Sequence, residues 1–239
     1  MAGRSYTTEA VVLRSFRLGE ADRVLHVYTL DRGRVGAVAK GVRKTKSKFG
    51  GRLEPFTHVD LLLYKGRELD IVTSCETLTS FRAIREDYLR FAAGEAILEA
   101  TDRVLEDRER NVRQFMLLLG ALRAIADGQE PAPVVDAYLL RTASLAGFRP
   151  HLRACASCGR PGPHQRFSVA QGGLVCETCR TATAVRVGES TVPYLTHLLE
   201  QEWTVDATDD ARREASGLVR AYVEYHFDRP LRAWAHVPR

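Results

Sequence analysis

Four of the five cysteines stand in two pairs, Cys155-Ala-Ser-Cys158 and Cys176-Glu-Thr-Cys179, in the pattern C-x2-C-x17-C-x2-C. No other feature restricts the fold as much, because this is the spacing of a zinc ribbon. Two residues between cysteines let both sulfurs of a knuckle face one ion, and Gly159 permits the tight turn that the first knuckle needs. Four thiolates close a tetrahedral shell and leave no open position, so one structural Zn2+ per chain is expected on Cys155, Cys158, Cys176 and Cys179. The metal would supply folding energy to a segment too short to bury a core of its own. Iron in the same shell is the minor alternative. His151 and His164 lie nearby, but neither is needed as a ligand, and Cys75 stands alone at a strand end and reads as packed.

No apolar run reaches the length of about 18 residues that a spanning helix needs, and the start, MAGRSYTTEA, lacks the apolar core of a signal peptide. Cytoplasmic residence with no membrane partner is the expectation. Thiols stay reduced there, which favours metal ligands over disulfides.

Charge is distributed unevenly. Residues 1–80 hold 14 Lys+Arg against 9 Asp+Glu, and the remainder of the chain is balanced at 21 of each, so the whole net charge of +5 lies in the first third. All five lysines fall there as well. Between Asp31 and Glu54 lie eight basic residues and no acidic one: Arg32, Arg34, Lys40, Arg43, Lys44, Lys46, Lys48 and Arg52. An asymmetric basic block points to a polyanionic partner. Seven of these residues, Arg34, Lys40, Arg43, Lys44, Lys46, Lys48 and Arg52, are the candidate phosphate contacts. Thr45, Ser47 and several glycines make the segment read as a flexible loop able to track a phosphate backbone. Five such contacts to a single strand would give a log–log salt slope of about −3.5. Phe49, inside the loop, is the best candidate for base stacking.

The first 75 or so residues read as five short strands: Ala10 to Arg14, Arg23 to Thr29, Arg34 to Lys40, Val59 to Tyr64 and Glu68 to Thr73. Alternation in the second strand and turns at Asp31-Arg32-Gly33 and Lys65-Gly66 support a small barrel. Five is the strand count of the OB-fold, although count alone does not separate it from an SH3-like barrel. After Ser80 the period becomes helical: Phe81, Ile84, Tyr88, Phe91, Ile97 and Leu98 recur at helical spacing, followed by helices over Val112 to Ala126, Pro133 to Ala146, Ser190 to Gln201 and Asp209 to Phe227. The expected class is α+β: an N-terminal five-stranded OB-fold β-barrel, and an α-helical domain with an inserted four-cysteine zinc finger. The expected limits are 1–80 for the barrel, 81–150 for helices, 151–182 for the zinc insert and 183–239 for further helices.

Catalytic motifs are missing. Gly36 to Gly41 has the glycine spacing of a phosphate loop, but Val42 and Arg43 follow instead of Lys and Ser/Thr. No His-x-Glu precedes the cysteines, and neither H-E-x-x-H nor G-x-S-x-G occurs. The reading is a binding protein and not an enzyme. An RNA-binding module of translation or transcription is the rival class.

The ordered pieces Leu13-Arg14, Gly19-Glu20-Ala21-Asp22, Ala39-Lys40-Gly41-Val42-Arg43, Ser47-Lys48 and Leu53-Glu54-Pro55-Phe56, then LAGFRPHLRACASCG, GGLVCETC and Asp228-Arg229-Pro230-Leu231-Arg232, resemble the RecO family of bacterial recombination mediators. They run from about residue 8 to residue 232; Ala233 departs from the serine expected there. The resemblance implies an OB-fold, a helical domain and a zinc finger in one body, located in the cytoplasm at the nucleoid. It further implies binding of single- and double-stranded DNA and annealing of complementary strands. The implied partners are RecR and the acidic C-terminal tail of the single-stranded-DNA-binding protein, and the implied role is loading of a recombinase. Arg14, Arg17 and Arg23 would extend the DNA face. Arg113 and Arg123 are candidates for the acidic tail.

Overall fold

The computed structural model describes residues 4–105, 107–200, 203 and 206–237. The chain forms two compact units, Met1–Ala126 and Asp127–Arg239. The helices that follow the barrel as far as Ala126 therefore share its unit.

Unit one begins with β1 (Ser5–Leu18), β2 (Asp22–Thr29), β3 (Gly33–Ala39), β4 (His58–Tyr64) and β5 (Asp70–Thr79). They close into a barrel in the order β1-β2-β3-β5-β4. That Greek-key order, with β1 shared between two neighbours, is the OB-fold and not an SH3-like barrel. β1 runs well past the expected Ala10–Arg14 because it serves both neighbours. Ser5 to Val11 pair with β4, Ala10 to Leu18 pair with β2, and a bulge between Val12 and Arg14 bends the strand from one to the other. The last gap is closed by a short parallel pairing of Ala37 and Val38 with Asp70 and Ile71. Alternation aims Val35, Ala37 and Ala39 of β3, and Val59, Leu61 and Leu63 of β4, into the core. The β2–β3 turn needs Gly33. Its φ of +61° is left-handed, and a Cβ there would lie 2.1 Å from the Glu109 carbonyl oxygen.

Three helices complete this unit: α1 (Arg82–Glu86), α2 (Tyr88–Val104) and α3 (Val112–Ala126). The helical period that starts at Phe81 is interrupted at Asp87, which is extended (φ −124°, ψ 128°) and caps α2 by accepting from the Arg90 N–H at 2.9 Å. Tyr88 and Phe91 consequently lie on an exposed face and not in the core. α2 is tied to the barrel through one carboxylate. Asp102 is buried, and Arg14 Nε (3.1 Å), His26 Nδ1 (2.9 Å) and Arg34 Nη1 (3.4 Å), one from each of the first three strands, converge on it.

In unit two, α4 (Pro131–Leu145), α5 (Thr191–Glu200) and α6 (Asp209–Phe227) pack together. The Gln201 end expected for α5 lies outside the described residues. Thr208 caps α6, and Asp209 and Asp210 add negative charge to its first turn. Ser216 of α6 donates to buried Asp136 of α4 at 3.0 Å. Between α4 and α5 the chain forms the cysteine module, with a three-stranded sheet of β6 (Arg166–Ser168), β7 (Gly173–Val175) and β8 (Val185–Arg186) in the order β7-β6-β8. Phe167 on this sheet meets Tyr222 of α6 edge-on at 5.9 Å.

The Asp102 cluster has a pH consequence. Burial pushes its carboxyl upward, but the His26 contact and the charges of Arg14 and Arg34 outweigh that and hold it below its ordinary value of 3.8. A depressed folded pKa contributes stability that is fully present above the unfolded value and is lost as pH falls below it. Denaturant titrations should show unit one losing this contribution below pH 3.8, and Asp102→Asn should flatten that part of the profile. Asp102→Ala should cost about 3 kcal/mol at neutral pH, because it removes the carboxylate that holds Arg14 and His26 and one of the two that hold Arg34.

Candidate nucleic-acid interface and metal centre

The basic segment connects β3 to β4. It is a succession of hydrogen-bonded turns and not the free loop expected: the Lys44 N–H donates to Gly41 O (3.1 Å), Ser47 N–H to Lys44 O (2.9 Å), and Arg52 N–H to Phe49 O (3.1 Å). Phe49 is 2 % exposed and sits with Leu53 in the barrel core. It is therefore not available to stack on a base. The hydrophobic gain from burying one phenyl ring, about 2–3 kcal/mol, outweighs what a solvated loop would offer it.

The anchored backbone sets the cations in three groups. Lys40, Lys44 and Lys46 are exposed and have no side-chain partner among the described residues. Arg43, Lys48 and Arg52 brace the turns through carbonyls: Arg43 reaches Gly19 O (3.3 Å) and Glu20 O (2.9 Å), Lys48 reaches Thr73 O (2.7 Å), and Arg52 reaches Lys48 O (3.0 Å). A carbonyl orients a cation without cancelling its charge, so these six retain their positive charge. Arg34 is set apart: it is held by Asp102 and, through Nε at 2.6 Å, by Asp107. Among the three arginines expected to extend the face, Arg14 is bound to Asp102 and Arg23 to Glu54 (2.8 Å), whereas Arg17 is exposed.

Arg43 also fixes the location of the segment. Its main-chain N–H donates to Ala21 O at 2.9 Å, and its guanidinium caps the carbonyls of Gly19 and Glu20. The lysine turns thus lean on the β1–β2 loop, one of the loops through which OB-folds take oligonucleotides. On the same hairpin Phe16 is 45 % exposed and meets His26 edge-on at 5.3 Å. The sequence reading missed this ring. The available signal was an aromatic beside Arg17, in a hairpin that also carries the basic pieces Arg14 and Arg23.

The four cysteines converge, with all four Sγ atoms within 4.8 Å of one another and Cys158 and Cys176 only 3.9 Å apart. Tetrahedral thiolates on zinc are separated by about 3.8 Å, from Zn–S bonds of about 2.3 Å. The donor set therefore fits a metal ion. Gly159 adopts φ +72°, and its N–H donates to Cys155 O at 2.9 Å, forming the first knuckle. Backbone N–H groups of Cys158 and Cys176 lead in drawing the Cys155 thiol down to about 6, toward the thiolate a metal binds. Cys179, hydrogen-bonded to other thiols, moves the other way. Four thiolates this close repel one another and require a cation between them. His164 is turned to the Arg160 carbonyl (2.9 Å) and is not in the cluster. Cys75 is buried in the barrel core, and burial pushes its thiol up to about 11.

The fold and these two sites define an OB-barrel protein that carries a four-cysteine cluster able to hold a metal ion. Two family models divide nearly the whole chain between them: "Recombination protein O N terminal" matches residues 1–81 and "Recombination protein O C terminal" matches residues 85–235. The chain belongs to the RecO family of DNA repair proteins. It is 48 % identical to the DNA repair protein RecO of Nocardioides sp., covering 98 % of this chain and 99 % of that one. It is 45 % identical to that of Thermobifida fusca and 46 % identical to that of Frankia casuarinae, each over 98 % of both chains. Neither the family descriptions nor these names carry an enzymatic activity. No helix among the described residues is long and apolar enough to cross a membrane.

Since Phe49 plugs the barrel, Phe49→Ala should behave as a core deletion. It is expected to cost about 3–4 kcal/mol in denaturant titrations, and a Leu replacement, which keeps most of the volume, should restore most of the loss.

Proposed function

We propose that this protein holds single-stranded DNA on the barrel surface formed by the β3–β4 turns and the β1–β2 hairpin, and that it anneals complementary strands during recombinational repair. The observation that carries this reading is the set of six cations, Lys40, Arg43, Lys44, Lys46, Lys48 and Arg52, without a carboxylate partner in the described structure. They stand beside a loop that OB-folds use for oligonucleotides. Cations left in this state exchange condensed counterions of DNA for direct phosphate contacts. Two strands gathered on such a surface repel each other less, and base pairing follows without any bond being made or broken by the protein. On this hairpin Phe16, 45 % exposed, is the ring placed to stack on a base. Arg34 is left out of the interface, because Asp102 and Asp107 already hold its guanidinium and offset its charge.

Family membership supports the wider role: action with RecR to load a recombinase onto DNA coated by single-stranded-DNA-binding protein, in the cytoplasm at the nucleoid. For the acidic tail of that binder, α3 offers Arg113, Met116 and Arg123 on one exposed face, with Met116 53 % exposed between two arginines. An apolar contact flanked by cations suits an acidic peptide with an apolar end. The ion in the cysteine cluster is Zn2+, one per chain. Its role is structural, because four sulfurs leave no place for water on the metal.

The direct test is annealing of complementary strands by a Lys40→Glu, Lys44→Glu, Lys46→Glu variant. It should lose annealing, and its log–log salt slope for single-stranded DNA should become shallower by about 2, with melting temperature unchanged. Unchanged affinity at moderate salt would refute the interface. A preference for RNA over DNA would favour the rival reading of an RNA-binding module. Elemental analysis should return one zinc per chain. Chelation, or Cys158→Ser, should unfold the cysteine module and lower the stability of unit two while the barrel still binds DNA.

A further inference from the structure

We infer that the cysteine module carries a second nucleic-acid surface, formed by Arg160, Arg166, Arg180 and Arg186, which grips a phosphodiester backbone without reading its bases. Unit two is electrically balanced as a whole, and that balance hides a separation. Residues 149–186 hold six arginines and a single acidic residue, Glu177, whereas residues 127–148 and 187–239 hold 12 acidic and 7 basic ones. Arg149 and Arg153 both pair with Glu200 of α5, at 3.2 and 2.5 Å, and four thiolates around a divalent ion carry a net charge of about −2, so the module keeps a small positive excess, carried by Arg160, Arg166, Arg180 and Arg186.

The sheet sets two of these charges on one side, and a shared carboxylate adds a third. Arg166 of β6 and Arg186 of β8 are direct cross-strand partners, so their side chains leave the same face. The opposite face is occupied, with Phe167 and Leu174 buried and Phe167 against Tyr222. Arg180 joins Arg166 through Glu177: Arg166 Nε lies 3.3 Å and Arg180 Nε 3.2 Å from its carboxylate, which is itself 72 % exposed. One solvated carboxylate thus serves two guanidinium groups. Arg186 has only a 3.4 Å hydrogen bond to Gln165, and the exposed Arg160 side chain has no partner among the described residues. Like charges directly opposite one another destabilise a sheet. Folding alone therefore gives no reason for Arg166 to face Arg186.

The surroundings select the ligand. Thr181, Ala182 and Thr183 beside Arg180 are exposed and small, and hydroxyls together with arginines are the usual phosphate contacts. The face offers no exposed aromatic ring among its described residues. A protein partner would need such an anchor at the centre of its interface. A polar, cationic surface without an anchor fits nucleic-acid backbone. With the first strand on the barrel, a second surface on the same chain raises the local concentration of the second strand. This last step rests on the barrel reading; the surface itself does not.

The test separates the two. Full-length, zinc-loaded protein is saturated with immobilised oligothymidylate, and capture of a second, labelled oligothymidylate is measured; neither strand can pair with the other. Wild type should capture it. Arg160→Gln/Arg186→Gln should reduce capture at least fivefold while holding the first strand, its zinc and its melting temperature. Arg160→Lys/Arg186→Lys, which keeps the charge, should retain most of the capture. Undiminished capture by the glutamine pair would overturn the inference. Equal loss in the lysine pair, which would report a structural role, would overturn it as well. Displacement of the second strand by polyglutamate at equal charge concentration would also overturn it, by assigning the face to acidic protein. Lys40→Glu, Lys44→Glu, Lys46→Glu combined with Arg160→Gln/Arg186→Gln serves as the separate arm: retention of the first strand by that protein refutes the barrel interface, whereas the arginine inference is read from the glutamine and lysine pairs alone.

Discussion

Phe49 inside the barrel is the contact on which the proposed interface depends. It converts a run of like charges into a surface of fixed shape. Two lysines about 8 Å apart in water repel by only about 0.5 kcal/mol, and salt reduces that further. Burial of the phenyl ring is worth about 2–3 kcal/mol. The barrel can therefore hold the turns that carry Lys40, Lys44 and Lys46 without neutralising any of them. Arg43, Lys48 and Arg52 add orientation at no electrostatic cost, since each donates to a carbonyl and none to a carboxylate. The result is a preorganised charge pattern, which in the proposed function leaves little ordering to be done on binding a strand.

The same barrel shows the opposite use of charge on another side. Asp102 draws Arg14, His26 and Arg34 from three adjacent strands onto α2. Those cations hold the fold together, and the lysine turns are free to bind because the structural work is done elsewhere. Basic residues close together in sequence thus divide into two populations. Arg34 and Lys40 are six positions apart, yet one is locked to carboxylates and the other is solvated.

That division marks the limit of what the sequence reveals. Local signals carried far: α3 and α6 span the residues their periodicity indicates, and the cysteine spacing brings four sulfurs together as expected. Four barrel strands lie close to where alternation places them, although β1 is longer, since its length reflects pairing with two separate partners, and β5, expected over Glu68 to Thr73, runs Asp70–Thr79 because pairing with β4 carries it past Cys75. What stayed hidden depends on distant contacts. Asp102 and Asp107 lie 68 and 73 positions from Arg34. Nothing near Phe49 says that it will share a core cluster with the distant Leu61 and Val72, and glycines beside it suggest mobility instead. Summed charge also misled for the second unit. Its balance conceals an arginine-rich cysteine module and acidic helices on either side of it in the chain.

The central claim is that unpaired cations on the barrel hold polyphosphate by counterion exchange. The measurement that reaches it most directly is the affinity of the wild-type protein for single-stranded oligothymidylate across a salt series. With Lys40, Arg43, Lys44 and Lys46 each meeting a phosphate, log K should fall linearly with log salt at a slope of about −3 or steeper. An affinity that is flat with salt would contradict the account, because it would mean that the barrel binds by something other than its charge.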